Sequence, residues 1–215
     1  YVSMAEDVFK SYQKIWFEVE ALSVYFKSLD IQTGDKVIMI LPNGDDFILS
    51  FFALQNIGAI PCAIYPPMRF KKLNEWKRTF KHQIKSLLPK KIIGDERIRP
   101  LVQDLSRLTM ISPMEFNFNL DKKSSVYPQT ETAFIQFSSG TTGMPKPIEI
   151  THKMLFSNIK NIRKAFGNPR YQEEHTTVSW LPLYHDMGLV GAFLTSIYAK
   201  VPFILMRPEE FLANP

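Results

Sequence analysis

The feature that most constrains the fold is a series of short, almost unbroken apolar runs, each followed by a stretch of helical length. Residues 36–41, 59–64 and 132–137 hold too little polar sequence to show one face to water. Runs of this kind are buried on both faces, as in parallel sheets that helices cover from either side. Shorter runs at 91–93, 108–111, 177–181 and 201–206 extend the series. Between them lie segments of helical period. Val8, Ile15, Val19, Leu22 and Phe26 make one stripe, and Phe70, Leu73, Trp76, Phe80, Ile84 and Leu87 make another. Helices are also expected near 46–57, closed by Gly58, and near 100–105, 152–166 and 187–198, with a last one opening at Glu209. The alternation predicts an α/β fold: a mostly parallel sheet flanked by helices on both faces. Residues 112–130, with Pro113, Asn117, Asn119, Ser124, Ser125 and Pro128, read as loop. They divide the chain into a first α/β portion (1–111) and a second portion (131–215).

Composition narrows the classes of function. No run approaches the roughly 18–20 apolar residues that span a bilayer, because 47–64 is interrupted by Gln55, Asn56, Gly58 and Pro61. Nothing at the start reads as a signal peptide. The single cysteine, Cys62, cannot form an internal disulfide, which suits a reducing compartment. A soluble, cytoplasmic protein is the expectation. The net charge of +5 is uneven, since the stretch from Arg69 to Arg99 carries +8 and the remainder −3. That basic stretch overlaps the second helical stripe, so a solvated helix face explains it, and an acidic protein partner is the alternative. No helix-turn-helix, zinc or aromatic-basic pattern supports a nucleic acid partner.

The segment richest in chemistry is the run 132–137 followed by Ser138-Ser139-Gly140-Thr141-Thr142-Gly143-Met144-Pro145-Lys146. A buried strand feeds a loop of hydroxyl residues and two glycines, lying between two apolar strands. Gly140 and Gly143 permit close backbone approach, so successive N–H groups can turn inward as an anion nest. The hydroxyls of Ser138, Ser139, Thr141 and Thr142 add donors, and Lys146 adds a cation for phosphate oxygens. A flexible surface turn is the plainer reading of such a string. It is not a Walker A loop, which needs Gly-Lys followed by Ser or Thr, whereas Lys146 stands between Pro145 and Pro147. Farther on, His185 follows Leu181-Pro182-Leu183-Tyr184 at the end of a strand, where ligands gather in open α/β sheets. There it can donate a hydrogen bond to a carboxylate, and Asp186 can cap the next helix. His82, His152 and His175 lack such a context and are read as structural.

These two segments resemble the phosphate-loop and histidine motifs of the adenylate-forming (AMP-binding) superfamily, which includes acyl-CoA ligases, luciferases and peptide-synthetase adenylation domains. The string Pro182-Leu183-Tyr184-His185-Asp186-Met187-Gly188 is most similar to the fatty acyl-AMP ligases. Gly34-Asp35-Lys36-Val37, Leu41-Pro42-Asn43, Gly58-Ala59-Ile60 and Tyr65-Pro66-Pro67 match that branch as well. The resemblance runs from about residue 15 to the end. It implies that the chain is part of the large N-terminal domain of an adenylate-forming enzyme. It implies attack of a fatty acid carboxylate on the α-phosphorus of ATP, giving acyl-AMP and pyrophosphate, with Mg²⁺ at the phosphates. Ser138, Ser139, Gly140, Thr141, Thr142, Gly143 and Lys146 would hold the ATP phosphates, and His185 would be catalytic.

The acyl group would then pass to the phosphopantetheine thiol of an acyl carrier protein. A fatty acyl-CoA ligase using coenzyme A is the alternative within the superfamily, and a non-catalytic nucleotide-binding or scaffold relative is the alternative of another class. Carrier proteins are generally acidic, so the basic helix at 70–90 is a possible docking face. One departure stands out, because relatives usually carry Gly directly after Pro-Lys and this chain has Pro147. A missing N–H and a fixed φ predict a stiffer loop exit, with weaker ATP binding if that N–H normally helps hold phosphate. The resemblance also implies elements not found here: a Tyr-Gly-x-Thr-Glu segment supplying the Mg²⁺ carboxylate, a later Asp for the ribose and a mobile C-terminal Lys. The chain is therefore expected to be a fragment, inactive in adenylation by itself.

Overall fold

The computed structural model describes residues 9–67, 73–113, 116, 130–138, 143–166 and 175–213. The strands β1 (Lys36–Ile40), β2 (Ile60–Ala63), β3 (Lys91–Gly94), β4 (Met110–Ile111) and β5 (Thr132–Phe137) run parallel, each paired with its neighbour in the sheet and β5 with β2. An antiparallel strand, β6 (Pro147–Thr151), completes a sheet of order β4-β3-β1-β2-β5-β6. Two short strands, β7 (Thr177–Ser179) and β8 (Phe203–Leu205), form a separate parallel pair. The mostly parallel sheet expected from the unbroken apolar runs is present, with β6 as its one antiparallel member.

Helices cover both faces, and the side chains of β1 show how. Val37 and Met39 point into one apolar cluster, packed by α1 (Tyr12–Ser28), α2 (Asp45–Asn56) and α5 (His152–Ala165). Ile38 and Ile40 point into another, packed by α3 (Leu73–Leu87) and α4 (Arg99–Leu105). This is the alternation a strand imposes on successive side chains. Phe80 and Leu87 of α3 are buried against the second cluster, with Trp76 stacked on Phe80 at 4.8 Å between ring centroids. Arg78, Lys81 and Lys85 lie on the exposed side of the same helix. The basic residues on α3 thus belong to the outer face of an amphipathic helix, while Lys90, Lys91, Arg97 and Arg99 of the same stretch lie beyond it.

The expected helix near 187–198 divides in two. Met187–Leu194 winds as a π-helix and Thr195–Ala199 continues as α6. The Thr195 hydroxyl donates to the Val190 carbonyl five residues back, at 2.7 Å. A short helix α7 (Pro208–Ala213) follows β8, and its Phe211 stacks on Trp180 with the rings 3.8 Å apart. The segment expected to be loop at 112–130 falls mostly outside the described residues.

Candidate functional site: a pinched hairpin loop beside the histidine segment

Antiparallel pairing of β5 with β6 makes 138–146 the loop of a β-hairpin. Its mouth is closed by two bonds between the same residues. Ser138 N–H donates to the Lys146 carbonyl at 3.0 Å, and Lys146 N–H donates to Ser138 Oγ at 3.2 Å. Gly143 sits at φ 146°, in the region that disfavours side chains, and a Cβ built there meets nothing within 4 Å. Lys146 is exposed. Four of the sequence-derived phosphate ligands, Ser139, Gly140, Thr141 and Thr142, lie outside the described residues.

Pro147 stands opposite Phe137. Bonded rungs alternate along an antiparallel ladder, so the pairing of Ser138 with Lys146 makes 137 and 147 a non-bonded pair. The nitrogen of residue 147 therefore points away from β5, toward the open edge of the sheet. Proline is tolerated at that place because no ladder bond is lost.

The histidine segment is held from beneath by Asn43, a buried residue in the turn between β1 and α2. Its Nδ2 donates to the carbonyls of Leu181 at 3.0 Å and Met206 at 3.1 Å, and its Oδ1 accepts the Leu183 N–H at 2.8 Å. Just beyond, His185 N–H donates to the Pro182 carbonyl at 3.1 Å, and the π-helix crosses so close that Gly188 has room for no Cβ. A Cβ there would lie 2.2 Å from the Pro182 oxygen. Sequence reasoning drew on Asn43 only as part of a family motif and did not mark Gly188 as a contact residue.

His185 and Asp186 emerge on the exposed side of this turn. His185 Nδ1 lies 2.5 Å from Asp186 Oδ1, and Asp186 Oδ1 also accepts the Met187 N–H at 2.8 Å, capping the π-helix. Both side chains are well exposed, so this ion pair adds little stability; its effect is on the ring. With Nδ1–H turned to Asp186, only Nε2 is left for a ligand, as acceptor in the neutral ring and donor in the imidazolium. Tyr184 lies edge-on to Tyr65 at 5.1 Å, and burial pushes its hydroxyl pKa well above the ordinary value.

A cavity of about 510 Å³ lies between the strand that leads into the loop and the segment that follows His185. Phe134 and Gln136 of β5, the strand that feeds the loop, form one wall, Asp186, Met187, Val190 and Gly191 form another, and Ile150 of β6 with Met154, Leu155, Asn158 and Ile162 of α5 form the rest. Its volume falls in the range of roughly 300–1,000 Å³ common to small-molecule sites. Another cavity, of about 520 Å³, opens at the carboxyl ends of β1 and β3 and is bounded by Asn43 and Tyr184. Neither cavity is lined by a described residue of 138–146, but this one has no residue of β5, and its Arg97 is already paired with Asp95 at 2.8 and 2.6 Å. Among the described residues no group of His, Cys, Asp and Glu could hold a metal ion. No helix among them is long and apolar enough to cross a membrane.

Comparison with known proteins shows the family and the fold. A profile of the AMP-binding enzyme family matches residues 1–215. A medium-chain-fatty-acid–acyl-carrier-protein ligase of Teredinibacter turnerae is 28% identical over 227 residues, covering 86% of this chain and 35% of the relative. A long-chain-fatty-acid–AMP ligase of Mycobacterium marinum is 26% identical over 189 residues, covering 86% of this chain and 29% of the relative. The structure of a fatty acyl-adenylate ligase from L. pneumophila, in complex with acyl adenylate and pyrophosphate, superposes with a TM-score of 0.81 at 26% identity. That superposition covers 100% of this chain and 37% of the other. The chain thus spans about a third of the length of the curated relatives it matches.

Proposed function

The chain belongs to the AMP-binding enzyme family, and from that premise we propose that it is part of the N-terminal adenylation domain of a fatty acid–AMP ligase. The full-length protein joins a fatty acid carboxylate to the α-phosphorus of ATP and releases pyrophosphate. The observation that carries this reading is the cavity of about 510 Å³ walled by the feeder strand of the hairpin loop, by α5 and by the residues that directly follow His185. An acid lying in that cavity has its chain against Phe134, Met187 and Val190, and its head at the end where Asp186 and the loop's feeder strand meet.

Two anions must approach for this reaction, so positioning and charge neutralisation dominate its catalysis. Lys146, with Ser138, Ser139, Gly140, Thr141, Thr142 and Gly143, holds the ATP phosphates. As an imidazolium, His185 donates from Nε2 to the substrate carboxylate, while Asp186 keeps Nδ1 occupied. No described residue is assigned to Mg²⁺, since none of the acidic groups forms a cation cluster.

The acyl group then passes to a carrier-protein thiol. Two observations support that acceptor: the similar ligase of T. turnerae carries a carrier protein in its name, and α3 presents exposed Arg78, Lys81 and Lys85 to an acidic partner. The reaction is tested with the full-length protein by fatty-acid-dependent exchange of pyrophosphate into ATP across a range of chain lengths. Coenzyme A and a carrier protein are then compared as acceptors. Exchange that no fatty acid stimulates rules the reading out.

A further inference from the structure

The peptide group between Pro145 and Lys146 is held at both of its polar ends. His82 Nε2, on α3, donates to the Pro145 carbonyl at 3.1 Å, while the Lys146 N–H donates to Ser138 Oγ at 3.2 Å. A trans peptide directs its C=O and N–H to opposite sides, so α3 and the end of β5 grip one plane from two flanks. The next plane is held too, because the Lys146 carbonyl accepts the Ser138 N–H at 3.0 Å. Pro147 closes that plane; it fixes its own φ and excludes Lys146 from the helical region. The backbone of Lys146 is thus constrained on both sides of its Cα, and its exposed side chain is left to move.

Of these constraints only the one from His82 comes from outside the hairpin. Pro145 lies past the last rung of the β5–β6 ladder, and among the described residues the bond to its carbonyl comes from His82. A carbonyl can only accept, which means Nε2 carries the proton in this contact whether the ring is neutral or charged. His82 is half-buried on the same helix whose Phe80 and Leu87 anchor it to the core. The rigid element thereby reaches the loop through one side chain.

We propose that His82 is a positioning residue for Lys146, holding its backbone ready for the ATP phosphates through the Pro145–Lys146 peptide. The inference rests on the reading of 138–146 as the phosphate loop. A cation whose backbone is already ordered has less freedom to lose when the anion arrives, and this raises affinity. Pro147 serves the same end, so the departure from glycine stiffens the residue that needs to be fixed.

The test uses the full-length protein in fatty-acid-dependent pyrophosphate exchange, with H82F, H82A, H82Q and K146A. H82F keeps the ring and loses the donor, H82A only removes atoms, and H82Q returns an N–H near the position of Nε2. The KM for ATP is expected to rise about fivefold in H82F and H82A, the weight of one neutral hydrogen bond. The KM for the fatty acid stays as in the wild type, and H82Q recovers most of the loss. An unchanged KM for ATP in H82F and H82A, even with a lower melting temperature, overturns the inference, as does an H82Q variant that behaves like H82A. K146A separates the two layers. If it leaves exchange intact, the phosphate-loop reading fails and the inference with it; if it abolishes exchange while H82F and H82A match the wild type, only the role of His82 fails.

Discussion

At the scale of single residues, the histidine segment stands on close contacts that small substitutions should expose. Gly188→Ala would place a methyl 2.2 Å from a backbone oxygen, and backbone cannot swing aside as a side chain can. A loss of about 3 kcal/mol or more is expected in urea unfolding. Gly191→Ala is the control: its Cβ would meet only Met187 Cγ at 3.9 Å, and stability should change by no more than about 1 kcal/mol. Asn43→Leu would strand a buried N–H and remove the partner of two part-buried carbonyls. At about 1–3 kcal/mol for each unsatisfied group, it should unfold at markedly lower urea than the wild type. Cys62 is fully buried and its thiol is pushed far above its usual pKa. Only the thiolate attacks, so a thiol reagent at pH 8 should label the urea-unfolded chain and spare the native one. Lys146 and His185 stand out as candidates in the sequence because each sits in a compact local string. Asn43 and His82 do not: their partners lie 138 to 163 and 63 positions away, and such distances leave no pattern in a window of neighbours.

Elements were legible wherever burial is uniform. β1, β2, β3 and β5 are unbroken apolar runs because both of their faces are covered, and their bounds fall within a residue or so of those expected. β6 was harder to place as an element, since Ile148 and Glu149 are exposed at an open edge and the run reads as mixed. The π-helix was read as an ordinary helix because an apolar segment such as Met187–Leu194 carries no polar stripe to reveal its period. α3 was read correctly as amphipathic, and its outer face has a consequence for the acceptor. Charge reversal at Arg78, Lys81 and Lys85 should slow acyl transfer to an acidic carrier protein, with the effect shrinking as salt is raised. Fatty-acid-dependent pyrophosphate exchange by the same variant should be unchanged, since the three side chains lie on the solvent side of the helix. Lys77 is a poorer choice for this experiment, because it lies 3.5 Å from Asp104 and its reversal would disturb the contact of α3 with α4.

At the scale of the molecule, the sheet is what brings the two motifs together. β5 joins β2 and carries the hairpin loop, while Asn43 leaves β1 to tie down the segment that ends in His185. The chamber between them has a wall that can be filled without disturbing the backbone, since the space beside Gly191 is open. Gly191→Leu in the full-length protein should shift the preferred fatty acid toward shorter chains and leave the KM for ATP unchanged. An unaltered chain-length profile would place the acyl chain elsewhere. The proposal that the full-length protein forms an acyl adenylate is tested most directly by mass spectrometry of that protein incubated with ATP, Mg²⁺ and a fatty acid without any thiol acceptor. Acyl-AMP and pyrophosphate are expected in equal amounts, both lost in Lys146→Ala. Release of ADP and phosphate, or no acyl-AMP with any fatty acid, would contradict the proposal.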